Sequence, residues 1–356
     1  TLPAILAAAG VQTVPVTDAP QLADLPGAAD FAERVQVDPQ TLDVVEAGAG
    51  TDEETALAAA IAAAVEAWQG SSETDAKSGS GGHGDAPARL MWVHLRGLLG
   101  PWDAPYARRE HYATEDDPSP PEFVEPPHWV LPADADPDAL WGVRQAYAAQ
   151  VALLDGLIGT LWDLAAAGDN EPPLLCFTSC RGYPLGVHGR LGFPDAQSAD
   201  LYGETTHLPW ILRFPGGEHA GGRAPALVEP GDLPATLVEA CQLPAETPST
   251  WQASLMPMVR GDAAETRDRQ LSTAEGCGAI RTAAWHLIRR AGDGAATEAV
   301  ELYSKPDDRW EVNEVSARCP QIAETLRQLL GELERRARGD EVEMTPLDEM
   351  LRAGFT

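Results

Sequence analysis

Residues 174 to 192, LLCFTSCRGYPLGVHGRLG, pass from an apolar run into a small polar turn and then into a glycine-spaced loop carrying Arg181 and His188. A strand that ends in this way delivers a turn to the mouth of a site in an α/β protein. Cys180 and His188 could act together as thiol nucleophile and imidazole base; Cys180 is equally a small side chain that fills a gap. Arg181 beside His188 could bind a sulfate or phosphate without a metal. It could also pair with a carboxylate, because a buried guanidinium left alone is costly. His188 itself reads either as an acid/base or as a hydrogen-bonded loop residue.

Elements must hold these side chains in place. LPAILAAAG (residues 2–10) reads as a short helix closed by Gly10, VQTVPVTD (11–18) as a strand interrupted by Pro15, and ERVQV (33–37) as another strand. TDEETALAAAIAAAVEAW (51–68) is a helix with Thr51 as N-cap and Glu54 completing a capping box. Residues 70–86, rich in Gly and Ser, predict a flexible loop, and ARLMWVHLRG after them a buried central strand of the same sheet. Residues 100–137, rich in Pro and acid, form a long surface excursion, whose Trp102 and Trp129 serve either loop packing or a sugar-binding rim. Between 138 and 167, Leu140, Val143, Tyr147, Val151, Leu154, Ile158 and Leu161 mark one apolar helical face, which Gly168 ends. Asp155 on that helix reads as a cap or hydrogen-bond partner of an adjacent loop. PPLLCFTS and HLPWILRF are two more buried strands, and DLPATLVEAC (232–241) is a short helix. Beyond about residue 250, short strands lead to a helix at 320–337. The expected fold is α/β: a mostly parallel sheet flanked by helices over residues 1–250, then a small α+β subdomain, an antiparallel sheet plus helix, over 251–356.

Composition narrows the partners. A net charge of −30 argues against nucleic acid and anionic membranes, both of which call for basic surfaces. Only Lys77 and Lys305 are lysines, so nearly every local cation is an Arg. An acidic surface gives an anionic ligand no long-range help, and local Arg would have to supply it. No uninterrupted apolar run reaches the roughly 18 residues of a membrane span. The five cysteines, Cys176, Cys180, Cys241, Cys277 and Cys319, form no disulfide framework, and Cys176 and Cys180 lack the turn of a zinc knuckle. Free thiols point towards a reducing compartment such as the cytoplasm, and no signal peptide is visible.

Seven segments, in chain order, resemble the sulfatases of the alkaline-phosphatase superfamily. They are TLPAILAAAGVQTVPVTD at the start, the helix AYAAQVALLDGLIGTLWDL, the turn SCRG, the loop PLGVHG, the pattern Tyr202-x-Glu204 with Pro209, the element Asp232-Leu233-Pro234-Ala235-Thr236, and AVELYSKPDDRWEVNEV at 299–315. The resemblance implies the alkaline-phosphatase-like fold and places the family's first Asp pair and its nucleophile ahead of Thr1.

A sulfatase of this type uses Ca²⁺ or Mg²⁺ held by oxygen ligands, a nucleophile within C/S-x-P-x-R, cations that neutralise the sulfate oxygens, and a His that protonates the leaving alcohol. Here the metal turn, S-D-H-G or S-D-N-G in the family, is Ser179-Cys180-Arg181-Gly182. The ligand positions therefore hold a soft thiol and a guanidinium without a lone pair. No C/S-x-P-x-R occurs, the G-K-W-H region is Val16-Thr17-Asp18-Ala19, and H-x-P is Leu99-Gly100-Pro101. Of the polar positions His188 and His207 remain, so Arg181, His188 and His207 are the candidates for a residual anion pocket. The expectation is a sulfatase-like protein of the sulfuric ester hydrolase family, catalytically degenerate, with no metal site and no cofactor. A protein partner or a sulfated or other anionic small molecule would be its target. The alternatives are an active sulfatase or phosphohydrolase completed by a missing N-terminal segment, and a different hydrolase using Cys180.

Overall fold

A computed structural model describes residues 1–356 except 26, 32–33, 39–47, 78–87, 168–171, 195–199, 244–247, 249–251, 292–297 and 355–356. The chain opens with helix α1 (Leu2–Ala8), and Gly10, at φ +79°, turns it into strand β1 (Gln12–Thr17). β1 lies between the parallel strands β2 (Val35–Gln36) and β3 (Arg89–His94). Pro15 does not interrupt β1. The backbone of Gln12 bonds towards β3 and that of Thr17 towards β2, so Pro15, two residues before Thr17, points its missing N–H at the β2 side. The β2 ladder begins only at Val16, so no bond is forfeited. Helix α2 (Ala56–Lys77) covers this sheet through Ile61 and Ala64, which pack with Val16. The expected capping box forms between Thr51 and Glu54, but it holds a single 3₁₀ turn. The α-helix begins after it, where the Ala56 N–H donates to the buried carboxylate of Asp103 at 2.6 Å. α2 also runs past Trp68 to Lys77, into the stretch read as a loop; the rest of that stretch lies outside the described residues.

The Pro-rich excursion is ordered around one buried cation. Arg109, on the short helix α3 (Tyr106–Glu110), is 0% exposed and donates to the carbonyls of Trp102, Pro121 and Phe123, the last at 2.8 Å. Trp102 is also fully buried, packed edge-on to Tyr147 and close to Tyr183, which excludes it from any sugar-binding rim. Trp129, on strand β4 (Trp129–Val130), stays 52% exposed.

Helix α4 (Pro137–Ala166) buries Val143, Ala146, Ala149, Leu153 and Leu161. By length and composition it is apolar enough to cross a membrane, which the count of uninterrupted apolar runs missed. Its buried face nevertheless carries Gln145 and Gln150, and Gln150 accepts the Ala104 N–H and donates to the Pro101 carbonyl, so the helix is fitted to protein. Asp155 is exposed and, among the described residues, bonds no loop.

Strand β5 (Leu175–Thr178) follows, then β6 (Arg190–Leu191), which pairs with β4, then α5 (Gly203–Thr206), β7 (Trp210–Arg213), α6 (Leu233–Ala240) and α7 (Met256–Arg260). The parallel arrangement holds for β2-β1-β3; β5 and β7 pair antiparallel and, among the described residues, bond to no other strand. Three expectations of buried strands are therefore corrected. All six residues of β3 are only half-buried, β5 buries none of its four, and Ile211 on β7 is 56% exposed, because among the described residues each strand has a neighbour on one edge only. Strands β8 (Arg269–Ala274), β9 (Cys277–Thr282), β10 (Trp285–Arg290) and β11 (Ala299–Ser304) form the antiparallel sheet β11-β10-β9-β8. Helix α8 (Pro320–Ala337) packs Leu326, Leu329 and Leu330 onto Ile280, Leu287 and Leu302, and α9 (Glu349–Ala353) closes that core with Leu351.

Replacing Arg109 with Met leaves three carbonyls facing an apolar chain. Urea unfolding should show a loss of about 3 kcal/mol or more, since each unsatisfied buried group costs roughly 1–3 kcal/mol.

Candidate functional site

The turn after β5 is pressed against another loop. A Cβ on Gly182 would sit 1.9 Å from the Glu204 carbonyl oxygen, so only glycine fits there, and the Gly182 N–H donates to the Thr205 carbonyl at 3.0 Å. Ser179 Oγ donates to the Arg181 carbonyl at 2.7 Å. Cys180 is exposed. The Arg181 guanidinium lies 3.4 Å above the Phe193 ring centre and makes no ion pair among the described residues. Partial burial lowers its pKa.

His188 is held on three sides. Its ring stacks on Tyr202 at 3.5 Å between centroids and 4° between planes. Nδ1 lies 3.2 Å from Glu204 Oε2, and Nε2 lies 3.0 Å from the Glu311 carbonyl. Both partners only accept, so the arrangement favours a proton on each nitrogen. Burial works against that charge, but the bonds to Glu204 and to the Glu311 carbonyl outweigh it, and the His188 pKa is raised. An imidazolium with both N–H groups engaged has no lone pair with which to take a proton from Cys180.

Glu204 also accepts the Leu185 N–H at 2.9 Å, so the Tyr202-x-Glu204 and PLGVHG segments form one clamp. Glu311 ties that clamp to the second sheet. Its Oε2 accepts the Gly203 N–H at 2.6 Å, and its Oε1 lies 2.7 Å from both His286 Nδ1 and Lys305 Nζ. Burial opposes its charge, but His286, Lys305 and Gly203 prevail and hold the carboxyl down at about 2. His286 is driven the other way, its pKa lowered by full burial despite Glu311, so it donates as neutral imidazole. Tyr202 and Tyr303 both donate to Glu301 Oε2, at 2.7 and 2.8 Å, which strengthens the same junction.

Among the described residues no hydrogen bond, ion pair or ring contact joins His207 to Arg181 or His188. Its N–H donates to the Gly203 carbonyl at 3.0 Å. Its pKa is lowered, first by burial and then by the cations Arg281, Arg309 and Lys305. A further charged pair escaped the sequence reading. At the end of β1, buried Asp18 accepts the Arg96 N–H at 2.7 Å and Arg96 Nε at 3.2 Å. His94, at the end of β3, has its pKa lowered by burial in spite of Asp18. Glu311 was missed as well, although it sits inside the matched stretch 299–315; an acid flanked by Trp and Val was the available signal.

The donor set does not fit a hard divalent cation. Cys180 offers a soft thiol, Arg181 only N–H donors, and among the described residues no three or more His, Cys, Asp or Glu side chains are grouped to hold a metal ion.

No family model and no curated protein matches the sequence. Solved structures do match. BT4656, solved in complex with its substrate D-glucosamine-2-N,6-O-disulfate, aligns at TM-score 0.60 and 17% identity over 96% of this chain and 83% of its own. A Bacteroides thetaiotaomicron protein designated BT33494S-sulf, from a locus for metabolism of multiple glycosaminoglycans, aligns at TM-score 0.63 and 14% identity over 91% of this chain and 74% of its own. Ps i-CgsB, solved with k-i-k-neocarrahexaose, aligns at TM-score 0.58 and 15% identity over 96% and 74%. The chain therefore has the fold that these solved structures share.

A pH titration tests the Glu311 junction. Its folded pKa lies below the ordinary 4.5, so its stabilisation is present above that value and is lost as pH falls towards about 2. Glu311→Gln should cost roughly 3 kcal/mol at pH 7 by chemical denaturation and flatten the acid limb of the stability curve below pH 4.5.

Proposed function

We propose that this chain is a sulfatase-like protein that, with the residues it carries, holds no divalent cation at the turn 179–182 and hydrolyses no sulfate ester. The seating of that turn supports the reading: the Arg181 guanidinium lies over the Phe193 ring where the family resemblance calls for an oxygen ligand. Sulfuryl transfer needs charge neutralisation at the sulfate oxygens, a nucleophile and a proton for the leaving alcohol. The turn contributes an exposed thiol and a guanidinium, and His188 has both nitrogens committed to Glu204 and Glu311. On this reading the chain acts by binding, through its surface or an anion pocket.

A second reading is an active hydrolase completed by a segment outside residues 1–356, set in one mostly parallel sheet. The split sheet favours it. β3 and β5 each bond on one edge only among the described residues, and their apolar side chains are half-buried.

Calorimetric titration with CaCl₂ and MgCl₂, paired with 4-nitrophenyl sulfate and phosphate assays, separates the readings. We expect no stoichiometric binding and no turnover above buffer. One cation per chain at micromolar affinity, with turnover that chelator removes, would establish the second. Metal-independent turnover lost in Cys180→Ala would instead make Cys180 a nucleophile.

A further inference from the structure

We propose that His188 is a proton-operated latch: as an imidazolium it fastens the loop 184–191 to Glu204 and to the turn at Glu311, and loss of its proton frees that loop. This goes beyond the two readings above and holds under either, because it involves no bound cation and no turnover.

The ring has two oxygens to satisfy and one protonation state that satisfies both. Nδ1 faces a carboxylate oxygen of Glu204 at 3.2 Å, and Nε2 faces the Glu311 carbonyl at 3.0 Å. Neither oxygen has a hydrogen to give. A neutral ring donates once and, in either tautomer, turns a lone pair towards the other oxygen. The stack on Tyr202, 4° between planes, keeps the ring from turning aside, and the His188 side chain is only 12% exposed.

The neighbouring charges do not replace that proton. From α5 comes Glu204, which among the described residues pairs with no Lys or Arg, and whose other oxygen accepts the Leu185 N–H. From β10 comes Arg290, 5.0 Å from the Tyr202 ring centre and paired with Glu301 of β11 at 3.5 Å and with Asp200 at 3.8 Å. Neutral His286 on the same strand and Lys305 beyond β11 are both bound to the Glu311 carboxylate. Arg190, on β6, pairs with Asp200 at 3.2 Å. Each nearby cation meets an acid of its own, and Glu204 is left to His188.

Glu204 carries the effect further. Its carboxylate holds His188 and Leu185, while its carbonyl is what bars a side chain at Gly182, so the latch and the turn carrying Arg181 rest on one residue. The His188 pKa is raised above the ordinary 6.5, so the latch is fully closed below that value and opens as pH rises through the folded one. His94, His207 and His286, whose pKa values are lowered, change stability in the opposite direction.

Two measurements on the wild-type chain from about pH 5.5 to 9 test this: ¹⁵N NMR of the His188 ring, and hydrogen exchange of the Leu185, Gly189 and Gly192 amides corrected for intrinsic rate. We expect both ring nitrogens to be protonated at pH 6.5 and the midpoint to lie above it. Protection of the three amides should fall at least about tenfold across that midpoint. In His188→Gln, which keeps a donor but carries no charge, protection should start low and stay level with pH. A ring that titrates at or below 6.5, amides indifferent to its titration, or a wild-type pH profile in His188→Gln would each overturn the latch. The first two outcomes need no variant, so they decide the matter whether or not His188→Gln folds.

Discussion

A single buried carboxylate joins the two halves of this fold. Glu311 is 3% exposed, and its backbone sits at φ +57°, a left-handed conformation that a non-glycine residue adopts only when its surroundings demand it. Those surroundings are its hydrogen bonds. Side-chain oxygens take His286 from β10, Lys305 from the end of β11 and Gly203 from α5, while its carbonyl takes His188. The left-handed turn is what lets one residue face both ways. Apolar packing across the junction, with Leu201 and Tyr202 against Ala279, Ile288 and Tyr303, supplies area but no direction. The carboxylate supplies the direction.

This distinction explains which family-like segments persist. PLGVHG, Tyr202-x-Glu204 and the 299–315 stretch meet around Glu311, and Asp232, the first residue of its own matched segment, is fully buried and bound by Arg267 through both oxygens. Each of these segments positions backbone or ties one sheet to another.

Much of the fold was legible because its signals are local. The face of α4 shows in the three- and four-residue recurrence from Leu140 to Leu161, and the C-terminal meander and α8 in alternation and amphipathicity. What was not legible depends on partners distant in sequence. Nothing near Ala56 announces that Asp103 will cap its helix from 47 residues away. The apolar runs of β3 and β5 predict burial on both faces, yet burial also requires neighbours on both edges, which no single strand encodes. At the site, His188 was visible as a polar residue in a glycine-flanked loop, but its protonation is set by Glu204 and by a carbonyl 123 residues further on.

The same reasoning bears on how a strongly acidic chain could bind an anion at all. Over distances longer than about 10 Å at moderate salt, the net charge is screened and the surface neither attracts nor repels strongly. At contact, only unpaired local charge counts. Even with more than two acids for each base, a guanidinium need not meet a carboxylate: Arg109 meets three carbonyls instead. Around Glu311 the acids are committed elsewhere: Lys305 and His286 take Glu311, and the loop's own backbone takes Asp308.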